Sequence, residues 1–471
     1  MKKTILLVLL ITGSLSFIYA DIHLPSIISD NMVLQRNSQA RIWGKTDTGS
    51  LLKITTGWNG KEYKVSVDKE GKWELFVETT EAGGPYNMTI ESKKEKKVLQ
   101  NIFLGDVWIC SGQSNTEMPV KGFTGQPVEN SIDAIIESQS YPSIHMYTAK
   151  QTPALTPQED VAGQWEQASV STTGDFSAIG YFFAKTLQDV LKIPIGIVHF
   201  SWGGSSIETW MSKENLKKYD HIDLSNIEIH PQVPQQIPTL LYNGMLLPVV
   251  NYSVKGFIWY QGESNIPVYQ HYTSLFTDLV SEWRDLFGGG EELPFYFVQI
   301  APFQYDDPMK RESAYLREAQ MKCLEAVPNT GMAVTLDAGE LQCIHPAKKE
   351  IVGKRLAYQA LNKAYNYENI PCDGPVMSDI EIKEDKLIVS FKNAEHGLYP
   401  MFVELEGFEV AGEDKKYFPA KAVVTNFWNK IEVSSIEVER PRYVRYGFRN
   451  YVKGSLYNAY GLPAGSFRSD K

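Results

Sequence analysis

Cysteine is scarce in this chain of 471 residues, with only Cys110, Cys323, Cys343 and Cys372 present. Four so scattered cannot staple a small disulfide scaffold, and they leave room for one bridge whose pairing the sequence does not give. An excess of positive charge is missing too. With 46 Lys and Arg against 56 Asp and Glu the formal charge is −10, and no dense basic stripe interrupts that balance. This argues against a surface that tracks a phosphate backbone, so no nucleic-acid partner is expected. Beyond residue 20 no run of eighteen apolar residues occurs, which excludes a membrane-spanning helix there. The eight histidines form neither a His-Glu-x-x-His pattern nor a Cys/His metal spacing. Gly288-Gly289-Gly290 lacks the Lys-Ser/Thr that follows in a phosphate loop and reads as a helix stop. Neither a metal nor a cofactor is therefore expected.

What is present is the composition of a globular protein with a sizeable core: 43% hydrophobic, 12% aromatic and 22% charged residues. At roughly 150 residues per domain the length suggests about three domains. Residues 1–20 begin with Lys2 and Lys3, continue through an apolar run at 5–11, and reach Ala20 after small polar residues. That order reads as a secretory signal peptide cleaved near Ala20, so the mature chain is expected to be secreted or periplasmic. Residues 21–100 show short alternating runs broken by turns such as Asn59-Gly60 and Glu70-Gly71, which predict a β-sandwich-like module. From 101 to 370 apolar strands alternate with helical segments, predicting an α/β domain with a mainly parallel sheet. Residues 371–471 return to β texture and are read as a second β module.

In open α/β sheets ligands sit beyond the carboxyl ends of the strands, so polar residues after apolar runs are where chemistry is sought. Four such places occur. After the strand at 107–110 comes Ser111-Gly112-Gln113-Ser114-Asn115, where Gly112 allows a sharp turn that exposes the Ser114 hydroxyl. A serine is a weak nucleophile until a base takes its proton, and Thr116 argues against the Gly-x-Ser-x-Gly elbow. After 195–200 comes Ser201-Trp202-Gly203-Gly204, whose glycines let backbone N–H groups approach an oxyanion closely. After 255–258 comes Trp259-Tyr260-Gln261-Gly262-Glu263-Ser264-Asn265. Here the amides of Gln261 and Asn265 could donate to developing negative charge, and Ser264 is a rival nucleophile. The last is the loop 337–346, with Asp337, Glu340 and His345, where a histidine between strand and helix suits a general base. Taken singly, each place is equally a polar turn.

Taken in order, the blocks Gly105-Asp-Val-Trp-Ile-Cys-Ser-Gly-Gln-Ser-Asn115, Ser201-Trp-Gly-Gly204, Ile258-Trp-Tyr-Gln-Gly-Glu-Ser-Asn265 and Ile344-His-Pro346 resemble the SGNH/GDSL hydrolase superfamily, specifically its sialate O-acetylesterase family. Tyr443-Val-Arg-Tyr-Gly-Phe448 and Leu456-Tyr-Asn-Ala-Tyr-Gly-Leu-Pro463 are similar to that family as well. The resemblance implies a three-layer α/β/α hydrolase domain flanked by N- and C-terminal β-sandwich-like modules. It also implies Ser114 as nucleophile, His345 as base, and an oxyanion hole drawn from Ser114, Gly203, Gly204, Gln261 and Asn265. The implied reaction is removal of O-acetyl groups from sialic acid, with an acetylated plant polysaccharide such as xylan as the alternative substrate. A non-catalytic carbohydrate-binding protein would lack Ser114 or His345, and both are present. Many relatives carry an acid two or three residues before the histidine, where this chain has Cys343 and Gln342. Asp337 and Glu340 are therefore the alternatives for a triad acid, beside a Ser-His dyad with none.

Overall fold

The computed structural model describes residues 22–425 and 428–470; the expected signal peptide, residues 1–20, lies outside them. The chain opens with two small antiparallel sheets. Gln39–Lys45 pairs with Lys72–Glu78, while Leu51–Thr56 pairs with Glu62–Ser66 and Gly83–Glu91. Their alternating burial sends Ala40, Ile42, Leu52 and Ile54 inward, as a half-buried strand requires.

The boundary expected at residue 100 falls inside one strand, β1 (Lys96–Gly112). Its first part pairs antiparallel with Gly83–Glu91, and its second part becomes the centre of a parallel sheet. One core accordingly runs from Ile54 and Ile90 through Ile102 and Leu104 to Val107 and Ile109. Asp106, at the change of partner, accepts hydrogen bonds from Arg36 Nε at 3.0 Å, Gln35 Nε2 at 2.8 Å and the Tyr365 hydroxyl at 2.9 Å. A buried carboxylate paired this fully is held rather than merely tolerated.

The other strands of the parallel sheet are β2 (Ile144–Ala149), β3 (Gly163–Gln167), β4 (Ile195–Ser201), β5 (Gly256–Tyr260), β6 (Phe295–Val298) and β7 (Thr330–Ala333). Their spatial order is β7-β6-β5-β1-β4-β2-β3, all parallel except β3, which closes one edge antiparallel to β2. Every residue of β4, β5 and β6 is buried because helices cover both faces. The helices are α1 (Ala178–Leu191), α2 (Tyr272–Leu286), α3 (Glu312–Ala326) and α4 (Lys349–Lys363). Trp108 and Cys110 meet Phe183 and Gly180 of α1, whereas Phe257 and Trp259 meet Trp283 of α2. Cys110 and Trp259 belong to opposite pleats, since Trp259 registers with Ser111, so α1 and α2 lie on opposite faces. This is the three-layer α/β/α arrangement expected from the sequence.

The C-terminal residues form a five-stranded and a four-stranded antiparallel sheet around a second core that includes Leu387, Val389, Val410, Val444 and Tyr446. Arg317 of α3 fastens this module to the α/β/α domain. Fully buried, it donates to Ser466 Oγ at 2.8 Å, Gly447 O at 3.0 Å and Ser313 Oγ at 3.2 Å. The block 443–448 thus contributes a carbonyl to a domain junction. All four cysteines are free, and Cys110 and Cys323 are buried.

Candidate active site

The candidate residues converge where β1, β4 and β5 end side by side. At the end of β1, Gly112 has φ +139, and a Cβ there would lie 2.1 Å from Tyr260 O of β5. Only glycine can turn the chain at this point. Gln113 N then donates to Tyr260 O at 3.0 Å, and the hydroxyl of Thr116 reaches the same carbonyl at 3.0 Å. Ser114 opens the single helical turn Ser114–Glu117 between these anchors. Gln113, Asn115 and Thr116 are buried and the half-buried Glu117 is held by Gly203 N, while among the described residues the half-buried Ser114 hydroxyl has no protein partner. As the first residue of the turn, its N–H has no intrahelical partner.

The loop after β4 packs directly on that serine. Trp202 N donates to Gly112 O at 3.3 Å, and a Cβ on Gly203 would come within 3.2 Å of Ser114 Cβ. Gly204 has φ +74, and the amides of Gln235 and Gln236 lie 3.5 and 4.0 Å from where its Cβ would be. Gly203, expected as an oxyanion donor, gives its N–H to Glu117 Oε2 at 2.6 Å. Burial pushes the Glu117 carboxyl above its usual range. Among the described residues the Gly204 N–H has no protein partner.

Gln261 and Asn265 are placed otherwise than expected. Gln261 is fully buried and spends its amide hydrogens on Ser205 O at 3.1 Å and Asn265 Oδ1 at 2.7 Å. Asn265 Nδ2 points at both oxygens of Glu208, at 3.1 and 2.9 Å, while its Oδ1 also accepts from Ile207 N at 2.9 Å. Both amides therefore brace the 205–208 segment instead of facing a substrate. Ser264 lies on the same turn, but Gly203 packs against Ser114.

His345 is joined to the serine loop through its neighbours. Asn115, next to Ser114, donates to Ile344 O at 3.1 Å and to Glu263 Oε1 at 2.8 Å, and accepts from Lys349 Nζ at 2.8 Å. Lys349 also donates to Pro346 O at 2.7 Å. Burial lowers the Lys349 ammonium to about 7, opposed by the charges of Glu263, Cys343 and Glu340. The Glu263 carboxyl is pushed up by its own burial. His345 is held down to about 4, first by burial and then by the Lys349 charge, so it is neutral at ordinary pH.

Neither acid expected as a triad member touches the imidazole. Asp337 makes a two-pronged ion pair with Arg355, 2.7 Å on each side, and Glu340 Oε1 accepts from Ala347 N at 2.6 Å. The partner of His345 Nδ1 is instead the side-chain oxygen of Gln126, at 2.6 Å. Nothing in the sequence singled out Gln126, which lies in an irregular loop 219 positions from the histidine. Asn115 and Glu263 stood inside the recognisable blocks, and their side-chain roles were not assigned there. Among the described residues no cluster of three or more His, Cys, Asp or Glu could hold a metal ion. A groove of about 660 Å³ lined by His23, Trp43 and Trp73 shares no residue with these loops.

Residues 104–362 match the sequence profile of the carbohydrate esterase, sialic acid-specific acetylesterase family. The sialate O-acetylesterase of Pongo abelii is 30% identical over 399 residues, covering 77% of this chain and 74% of the relative. That of Mus musculus is 28% identical over 417 residues, covering 76% of each. A solved carbohydrate acetylesterase from Xanthomonas citri superposes with a TM-score of 0.86 at 32% identity, covering 96% of this chain and 100% of the other. With more than half its length matched by that profile and the strand-end loops assembled around Ser114, the chain belongs to the sialic acid-specific acetylesterase family of carbohydrate esterases.

Proposed function

We propose that the protein hydrolyses O-acetyl groups on sialic acids, with Ser114 as nucleophile and His345 as general base. The observation that carries this reading is the Ser114 turn itself. A half-buried serine, its hydroxyl unpartnered among the described residues, sits against the Gly203-Gly204 loop, and Asn115 ties that turn to the loop bearing a neutral imidazole. His345 Nε2 takes the Ser114 proton as Oγ attacks the acetyl carbonyl carbon. The oxyanion is received by the N–H groups of Ser114 and Gly204, each worth roughly 3–4 kcal/mol of barrier when lost. The tetrahedral adduct collapses as the imidazolium returns its proton to the sugar oxygen, releasing the hydroxyl and leaving acetyl-Ser114. Water, deprotonated by the same nitrogen, then attacks the acetyl group and frees acetate and the serine.

A second reading, an acetylated neutral polysaccharide, is favoured by the uncharged amides of Gln235 and Gln236 beside Gly204. The test is acetate release from O-acetylated, sialic-acid-rich mucin and, in parallel, from acetylated xylan. The parent should act on mucin, and Ser114→Ala and His345→Ala should each lose at least about 10³-fold in kcat. Release from xylan alone would transfer the assignment to the neutral polymer, and full activity of Ser114→Ala would overturn the mechanism. The basic, apolar and small-residue order of residues 1–20 supports export as a further part of this reading. No helix among the described residues is long and apolar enough to cross a membrane.

A further inference from the structure

We propose that Gln126 is the positioning residue for the catalytic base, its side-chain carbonyl occupying the place that a carboxylate holds in a serine triad. This rests on the reading of Ser114 and His345 as the reacting pair. An amide oxygen carries no proton, so a 2.6 Å contact between Gln126 Oε1 and His345 Nδ1 requires the hydrogen to be on Nδ1. The Nε2 lone pair is then left for the Ser114 hydroxyl, which is the tautomer a general base must adopt. Phe123 packs edge-on against the ring, 5.3 Å between centroids at 74°, and limits its rotation.

The segment presenting Gln126 is built to hold still. It leaves the Ser114 turn, and Val120 N and Lys121 N bond to Phe176 O and Gly174 O at 2.9 and 3.0 Å. It doubles back at Gly122, whose φ is +80 and whose Cβ, if present, would lie 2.4 Å from Gln126 O. Gln126 N closes the turn on Phe123 O at 2.9 Å. One continuous stretch thus carries the nucleophile and the group that orients its base. The nearby carboxylates have other tasks: Asp337 on Arg355, Glu340 on Ala347 N, Glu263 on Asn115 and Glu117 on Gly203.

A neutral acceptor fixes the tautomer without supplying counter-charge to the imidazolium. The charged group acting on His345 is Lys349 of α4, which is itself influenced by Glu263, Cys343 and Glu340. Placing a carboxylate at position 126 should therefore favour protonated His345. Gln126→Glu is expected to keep activity at pH 8 and to move the acid limb of the kcat/KM profile to higher pH by at least about one unit. Gln126→Leu, similar in size but with no acceptor, should lower kcat at least about tenfold with KM little changed. Wild-type kcat in Gln126→Leu, or an unmoved acid limb in Gln126→Glu, would overturn the proposal. If the leucine variant does not fold, the glutamate variant decides alone. Failure of the underlying reading is distinguishable, because His345→Ala would then remain active whatever stands at 126.

Discussion

Asp337 precedes His345 by only eight residues, yet its carboxylate is paired with Arg355 and not with the imidazole. Both oxygens are held by Arg355, whose guanidinium also reaches Val334 O at 2.8 Å, and the two side chains are 11% and 3% exposed. Such a pair ties the loop after β7 to α4. Breaking it leaves an arginine buried without its counter-charge, a loss that typically costs about 3–5 kcal/mol. Asp337→Asn should therefore lower stability by an amount of that order in denaturant unfolding while kcat stays near the parent value. A loss of kcat as large as that of His345→Ala would instead make Asp337 the triad acid. The same logic explains Lys349. Among the described residues no carboxylate bonds its buried ammonium directly, and Asn115 stands between it and Glu263, giving each a neutral partner.

At the scale of elements, β1 carries most of the organisation. It supplies a strand to the N-terminal sheet, paired there with Gly83–Glu91 and Val33–Gln35, the central strand of the parallel sheet and, at its last residue, the turn that presents Ser114. Gly112 is the position where this economy is most fragile. A side chain there meets the backbone of β5, which cannot move without disturbing its pairing with β1 and β6, and the positive φ adds strain of its own. Gly112→Ala should destabilise the protein by more than about 2 kcal/mol and reduce kcat, because relief can come only by shifting the Ser114 turn. Thermal unfolding and acetate release read the two effects separately, and a variant unchanged in both would refute this account of the turn. The loop after β4 needs its glycines, with Gly204 at φ +74 and Gly203 close against Ser114, and it is braced from outside as well. Gln261 and Asn265 hold its 205–207 segment from the neighbouring strand end.

For the whole molecule, the response to acid follows from imidazoles folded away neutral. Burial lowers His145 and His199 to about 4 from an ordinary 6.5, and His345 is lowered to about 4 as well. Between pH 6.5 and 4 the unfolded chain takes up protons that the folded chain refuses, so stability rises with pH across that window. The contribution is fully present above the unfolded value and is lost as pH falls toward 4. For the two buried imidazoles it is on the order of 3 kcal/mol each, and less for His345, which is partly solvated. The melting temperature should accordingly drop steeply between pH 6.5 and 4. His145→Gln and His199→Gln should flatten that part of the curve, and a parent curve already flat there would show that these groups are not buried neutral.

Each β run and helical segment, each glycine turn at a strand end and each of the four blocks is a local property carried by a short stretch of consecutive residues, and their order is read directly along the chain. They were sufficient to determine the α/β/α class, the family and the pair Ser114 and His345 as candidates. Long-range side-chain pairing is different, since it depends on which loops the fold brings together. Periodicity says nothing of that. Gln126 reaches His345 across 219 positions, Asn115 reaches Lys349 across 234, and Arg317 reaches Ser466 across 149. Only the tertiary structure could turn Gln261 and Asn265 inward, give Asp337 to Arg355 and leave a neutral amide at the base. In each case the donor or acceptor is spent on whichever partner the packed elements bring within hydrogen-bond reach, and chain proximity does not decide that competition.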